Sequence, residues 1–254
     1  MTADDEVRLE CDGPVAIVTL CRPDVLNAQT PAMWRALRTF SRDLPGSVRV
    51  VVVRGAGRSF SAGLDLSVAG GTGEDSFAGL TALPPDECAE RIAEFQAAFT
   101  WLHRPDIVSI AAVRGHAIGA GFQLALACDL RVLADDAKLS MAEVTLGLVP
   151  DLAGTKRLVD LVGYARALEI CVTGRRLDAA EAQRLGLATV VVPPDDLDVA
   201  VNDLTAAILA GNRDAVVEIK VLLAGAAGRS PAEQQRAERE AQTRRLRDLA
   251  GRGE

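Results

Sequence analysis

The sequence predicts an α/β fold, a core of strand–strand–helix units followed by a helical C-terminal third. Three observations predict it. An alternating apolar pattern folds back at a turn near the start, two unbroken apolar runs end on glycines, and after about Pro150 most segments have helical spacing. The first, "EVRLECDGPVAIVTLCRP", alternates on both sides of Asp12-Gly13 and reads as a β-hairpin.

Thr30-Pro31 then offers an N-cap and a first-turn proline, and Met33, Leu37, Phe40 and Leu44 recur at helical spacing behind it. "VRVVVVRG" reads as a buried strand ending at the glycines of "GAGRSFSAGLDL". The following "SVAGGTGEDSFAGLTALPP" is rich in Gly, Ser and Thr and reads as a linker or as a mobile loop covering a substrate. From Asp86 an amphipathic helix carries Cys88, Ile92, Phe95, Phe99 and Leu102 on one face.

Strand "IVSIAAV" leads into "GHAIGAGFQLALACD", and strands follow near "DLRVLA" and "AKLSM". Beyond Pro150, "GTKRLVDLVG", "YARALEICVTG" and "DAAEAQRLG" read as short helices, with one strand at "ATVVV". "SPAE" combines a capping box with a first-turn proline and opens a long helix charged on nearly every face, suited to the surface or to a partner subunit. The expected division is a site-bearing core over residues 1–195 and a helical region over residues 196–254.

Composition narrows the function. The chain has 254 residues, 49% of them hydrophobic, with a net charge of −7. It lacks a basic stripe with interleaved aromatics, which argues against nucleic acid as a partner. No apolar run approaches the ~18 residues of a membrane span, and the acidic N-terminus does not resemble a signal peptide. Five scattered cysteines without a C-x-x-C spacing read as buried thiols of a reducing, cytoplasmic compartment.

Two places share one design. At Val48 to Asp65 and at Ile107 to Leu124 a buried strand runs into glycines and then into a helix-like segment. Helix starts expose unpaired N–H groups, and two of them aimed at one point would hold an anionic oxygen. Taken singly, either junction also fits ordinary α/β turn chemistry.

Nucleotide motifs fit poorly. "GAGFQL" lacks the third glycine of a dinucleotide fingerprint, and no Gly-Lys pair exists for a phosphate loop. Ser61 lacks the flanking glycines of a nucleophile elbow. His103 and His116, the only histidines, have neither triad-like nor metal-ligand spacing.

"CRPDVLNA" (21–28), "GRSFSAGLDL" (57–66), the stretch from "AAVRGHAIGAGFQ" to "VPDLAGTKRL" (111–158) and "TGRRLDAAEAQRLGLATVVV" (173–192) together resemble the crotonase, or enoyl-CoA hydratase/isomerase, superfamily. The resemblance covers about residues 6 to 225. It implies a crotonase-like spiral of ββα units whose helical C-terminal region builds homotrimers, often paired into hexamers. It also implies an acyl-CoA thioester substrate, with coenzyme A entering as part of that substrate and no separate cofactor or metal.

The shared chemistry of that superfamily is stabilisation of a thioester enolate by two backbone N–H groups, which by position fall on Leu64 and Ala120. Such a donor is worth ~3–4 kcal/mol of barrier. The resemblance places coenzyme A against Leu26 and Ala28, with its adenine near Ala62, Asp65 and Leu66.

The carboxylates are where the sequence departs. Hydratases of the family hold a water between two glutamates; one matches Glu143, but the other falls on Gln123, which cannot act as general acid or base. Asp151, eight residues after Glu143, matches an aspartate of the dienoyl-CoA isomerases, and equally reads as an N-cap ahead of "AGTKRL". Monofunctional enoyl-CoA isomerases work with the single glutamate at the Glu143 position.

The expected activity is therefore double-bond isomerisation, with Glu143 as base, Asp151 as second proton carrier and Gln123 positioning substrate or water. Hydration by Glu143 alone and non-catalytic acyl-CoA binding are the alternatives. The family's C-terminal aromatic-and-lysine tail has no counterpart in "RDLAGRGE", where Arg244, Arg245 and Arg247 are the candidates for a phosphate contact.

Overall fold

The computed structural model describes residues 6–251. The hairpin forms as read: β1 (Val7–Asp12) and β2 (Val15–Leu20) pair antiparallel, with Asp12 opposite Val15 and Gly13 at positive φ in the turn. Thereafter β3 (Val50–Gly55), β4 (Val108–Val113), β6 (Leu130–Ala134) and β9 (Val190–Val192) add in parallel. The sheet order is β1-β2-β3-β4-β6-β9.

Both faces of this sheet are covered, which explains why its central strands are continuous apolar runs rather than alternating ones. Val51 and Val53 of β3, with Ala111 and Val113 of β4, face the main core with Met33, Leu37, Phe99 and Leu124. Val50 and Val52, with Ile110 and Ala112, face the other way onto Leu197 and Val201. Those two belong to helix α9 (Leu197–Ala210), which packs on the back of the sheet.

Helix α1 (Pro31–Asp43) starts at its expected cap, the Thr30 hydroxyl accepting from the Met33 N–H at 3.2 Å. It packs on α4 (Pro85–Thr100) through Trp34 and Phe95, whose ring centroids lie 4.9 Å apart. The face expected of α4 is buried only at its C-terminal end: Phe95 and Phe99 are in the core, while Cys88 and Ile92 are half-buried.

The Gly/Ser/Thr-rich segment is neither a featureless linker nor an open loop. It forms two short helices, α2 (Leu66–Ala69) and α3 (Phe77–Ala82), capped by Asp65 and Ser76. A second small sheet joins β5 (His116–Ile118), β7 (Lys138–Ser140) and β8 (Leu177–Asp178); β7 is the strand read at "AKLSM", while β5 and β8 escape sequence reading because strands this short have no measurable periodicity.

Helix α5 (Ala120–Ala127) is buried on every side, which its composition permits because it carries no charge. Arg131 closes its C-terminal end, donating to Cys128 O at 2.7 Å and Ala125 O at 3.5 Å, and also donates to Leu187 O at 2.5 Å. Burial pushes this guanidinium down to about 10, still protonated at neutral pH.

Helices α6 (Gly154–Val162), α7 (Tyr164–Thr173) and α8 (Ala179–Arg184) follow, then α10 (Arg213–Ala226) and α11 (Pro231–Leu249) beyond α9. Helix α11 begins with the predicted capping box and buries only Ala241. Among the described residues no helix is long and apolar enough to cross a membrane.

Candidate active site

The two glycine junctions are docked backbone to backbone. A Cβ on Gly63 would lie 2.5 Å from Ile118 O and 3.6 Å from Ala120 N, and one on Gly121 would lie 2.6 Å from Ser61 O. Only glycine permits this approach. Gln29 bridges to Leu64 and Ser61 to Ala117, so the loops are stitched in parallel register.

The consequence is two free amides on the border of one cavity. Ala120 is the first residue of α5, so its N–H has no carbonyl partner within the helix. The Leu64 N–H likewise donates to no other described group, although Gly63 O and Asp65 N on either side are engaged by Gln29. Only one of the two amides starts a helix: Leu64 precedes the one-turn α2, whose cap is Asp65.

Leu64 and Ala120 border a cavity of about 550 Å³ that is also lined by Gln123, Glu143 and Asp151. Glu143 begins a 3-10 turn (Glu143–Leu146), and its carboxylate reaches back over Gly119, where a Cβ would come within 3.3 Å of Oε1. Gly119 adopts φ +51, so a side chain there would be both strained and crowded.

Gln123 holds this carboxylate. It is 1% exposed, and its Nε2 donates to Glu143 Oε1 at 2.7 Å. Its Oε1 accepts from the Leu152 N–H at 2.9 Å and the Gly154 N–H at 3.3 Å. This fixes the amide's orientation, because only the oxygen can accept from two N–H groups.

Gln123 thus contacts Glu143 and the start of α6, and it also lines the cavity. Glu143 Oε2 is buried and has no hydrogen-bond partner among the described residues. Burial, opposed by the Gln123 bond and reinforced by the nearby Asp151 charge, holds the Glu143 carboxyl above the usual carboxylate range.

Asp151 is not the cap of α6. That position is Ala153, at φ +64 with no side-chain cap bond, and Gln123 supplies the acceptor instead. Asp151 lines the cavity, and burial raises its carboxyl above the ordinary range.

Of the residues matched to coenzyme A, Ala62 and Leu66 line the cavity, while Leu26, Ala28 and Asp65 do not. Leu26 O accepts from the Ala62 N–H at 2.8 Å. Arg22, which sequence reading missed, donates to Ala28 O at 2.6 Å and Asp65 Oδ2 at 2.8 Å. Burial would raise the Asp65 carboxyl, but bonds from Ser67 and Arg22 outweigh it and hold the group low.

Leu26 and Asn27 both adopt positive φ, and the fully buried Asn27 fixes that turn by donating to Ala56 O and Ser59 O. An Asn after a 3-10 turn was the available signal, since Asn tolerates this conformation best. Arg244 and Arg245 pair with Glu218 and Asp248 and take no part in the cavity. Neither histidine lines it, and burial pushes His103 down to about 4.

Fold and site together define a cavity bordered by two backbone N–H groups without partners among the described residues, beside one buried carboxylate oxygen that likewise has none. The chain belongs to the enoyl-CoA hydratase/isomerase family, within the crotonase superfamily: the family model matches residues 10–248. A Thermobifida fusca YX protein provisionally named enoyl-CoA hydratase, solved with CoA, is 49% identical, with a TM-score of 0.91 over 98% of this chain and 96% of that one.

The same protein solved with acetoacetyl-CoA gives a TM-score of 0.92 at 49% identity, over 97% of each chain. Carnitinyl-CoA dehydratase of Salmonella arizonae is 39% identical over 204 residues, 76% of this chain and 70% of that protein. The peroxisomal Delta(3,5)-Delta(2,4)-dienoyl-CoA isomerase of Arabidopsis thaliana is 35% identical over 190 residues, 73% of this chain and 68% of that one. The acyl-CoA-processing class and the crotonase fold with its C-terminal helical region follow from these matches.

Proposed function

We propose that this enzyme shifts a double bond in an enoyl- or dienoyl-CoA through a thioester enolate. The observation that carries the reading is the state of the two side chains facing each other: a neutral amide with its oxygen fully occupied, and a carboxylate with one oxygen bound and one free.

With the thioester oxygen on the Leu64 and Ala120 amides, Glu143 Oε2 takes a proton from the α carbon of a 3-enoyl-CoA. The electron pair delocalises onto that oxygen and along the chain. A proton returned at the γ carbon, by Glu143 or by Asp151, then gives the conjugated 2-enoyl-CoA with no net gain or loss of protons. Burial above the ordinary carboxylate range brings Glu143 closer in basicity to the carbon acid and makes the transfer easier. The coenzyme A moiety would lie along residues 26–28 and 62–66, and a homotrimer or hexamer would cover exposed apolar residues such as Val172 and Leu223.

Hydration of a 2-enoyl-CoA is the second reading, favoured by the hydratase and dehydratase names of several relatives. It would use Glu143 alone, because Gln123 cannot serve as general acid or base. Parallel assays with a 3-enoyl-CoA and with crotonyl-CoA separate the two. Faster conjugation of the former supports isomerisation, and faster loss of conjugation in the latter contradicts it.

A further inference from the structure

Helix α3 lines the same cavity through Phe77, Leu80 and Thr81, together with Trp34 and Phe95. Helix α3 buries none of its own residues, and Phe77 is 38% exposed. Only Leu80 packs, half-buried, against the main core, and a helix this short gains little from so small a contact.

The turn before α3 is closed on itself. Ser76 donates to Gly73 O and caps Gly79, and a Cβ on Gly79 would lie 2.4 Å from the backbone oxygens of Gly73 and Glu74. This turn presents Asp75, whose side chain is only 9% exposed. Asp75 Oδ2 accepts from Arg35 of α1 at 2.5 Å, and Oδ1 accepts from Arg91 of α4 at 2.6 Å.

One carboxylate thus joins the segment to both helices that form the fixed side of the cavity, and it borders the cavity itself. We propose that Asp75 is a specificity-determining positioning residue: its two arginine bonds hold α3 at the distance where an apolar acyl tail packs between Phe77, Leu80, Trp34 and Phe95. The inference rests on the acyl-CoA reading above. Without the latch, α3 loses its register and the tail loses one wall.

The test is kcat/KM across crotonyl-, hexenoyl-, octenoyl- and decenoyl-CoA, with binding of the matching saturated acyl-CoAs measured by calorimetry. A tail buried in this lobe gains about fourfold per methylene until the lobe is filled. Wild type is expected to follow that slope.

Asp75→Asn and Arg91→Ala should each flatten the slope, changing crotonyl-CoA by less than about twofold, and the double variant should be no worse than either single one. An Asp75→Asn enzyme that keeps the wild-type slope, or a flat wild-type slope, overturns the proposal. Absence of turnover on every chain length would instead refute the proposed activity, and the calorimetric series would still decide the latch.

Discussion

Gln123 Nε2 donates to Glu143 Oε1 at 2.7 Å, while the same side chain's oxygen receives the N–H groups of Leu152 and Gly154. One buried amide therefore aims the candidate base and starts helix α6. The second task explains why a glutamate is not required at this position for folding: any well-placed acceptor suffices there. The first task needs a donor, which an ionised glutamate cannot be.

Replacing Gln123 by Ala removes both. Two backbone N–H groups lose their buried acceptor, costing about 1–3 kcal/mol each in the worst case. Urea denaturation should show a stability loss of about 2 kcal/mol or more, together with a lower kcat. Unchanged stability would mean that water replaces the amide without cost.

Gln123→Glu sets two carboxyls at hydrogen-bond distance. Like charges this close share one proton, and their titrations become those of a pair. The pair resembles the two glutamates of a hydratase, so crotonyl-CoA hydration should rise at least about tenfold relative to isomerisation. A fall in both rates would show that Asp151 already supplies the second carboxylate.

Asp151→Asn distinguishes proton carrier from structural residue. Ala153 and Gln123, not Asp151, serve the start of α6, so stability should not fall. Isomerisation is expected to drop about tenfold or more if the aspartate returns the γ proton. Thermal denaturation and initial rates on the same preparation read the two effects.

The pH dependence follows from burial. Glu143 and Asp151 are held above their ordinary values, so the folded state binds protons more tightly than the unfolded chain. Their unfavourable contribution is absent below the unfolded carboxylate range and grows as pH rises through the raised folded values. Glu143→Gln should therefore raise Tm at neutral pH while leaving Tm at acidic pH unchanged. In wild type, kcat should rise with pH across the same window, because the base must be ionised.

Much of this was legible in the sequence, for particular reasons. The glycines at 63, 119 and 121 were visible because only glycine tolerates the contacts now seen at Ile118, Glu143 and Ser61. The Thr30 and Ser230 caps were visible because capping is local. Glu143 and Gln123 could be paired only through family resemblance, since they stand 20 residues apart and meet by tertiary packing.

The 67–85 segment was read as a linker or a substrate-covering loop, and its two short helices were missed, because its composition is that of a linker. Yet Ser76 ahead of "FAGL" was a cap signal, and Asp75 finds its partners 40 and 16 residues away, beyond any local pattern. Asp151 misled differently: a cap-like residue sits at the right offset, and a side chain from another helix takes the role.

The central claim is that Glu143 removes a carbon-bound proton while the Leu64 and Ala120 amides hold the enolate oxygen. The direct measurement is solvent-deuterium exchange at the α carbon of a bound acyl-CoA, followed by NMR in wild type and in Glu143→Gln. Exchange in wild type that disappears in the variant is the predicted result. Exchange that persists in the variant, or none in wild type with the thioester bound, contradicts it.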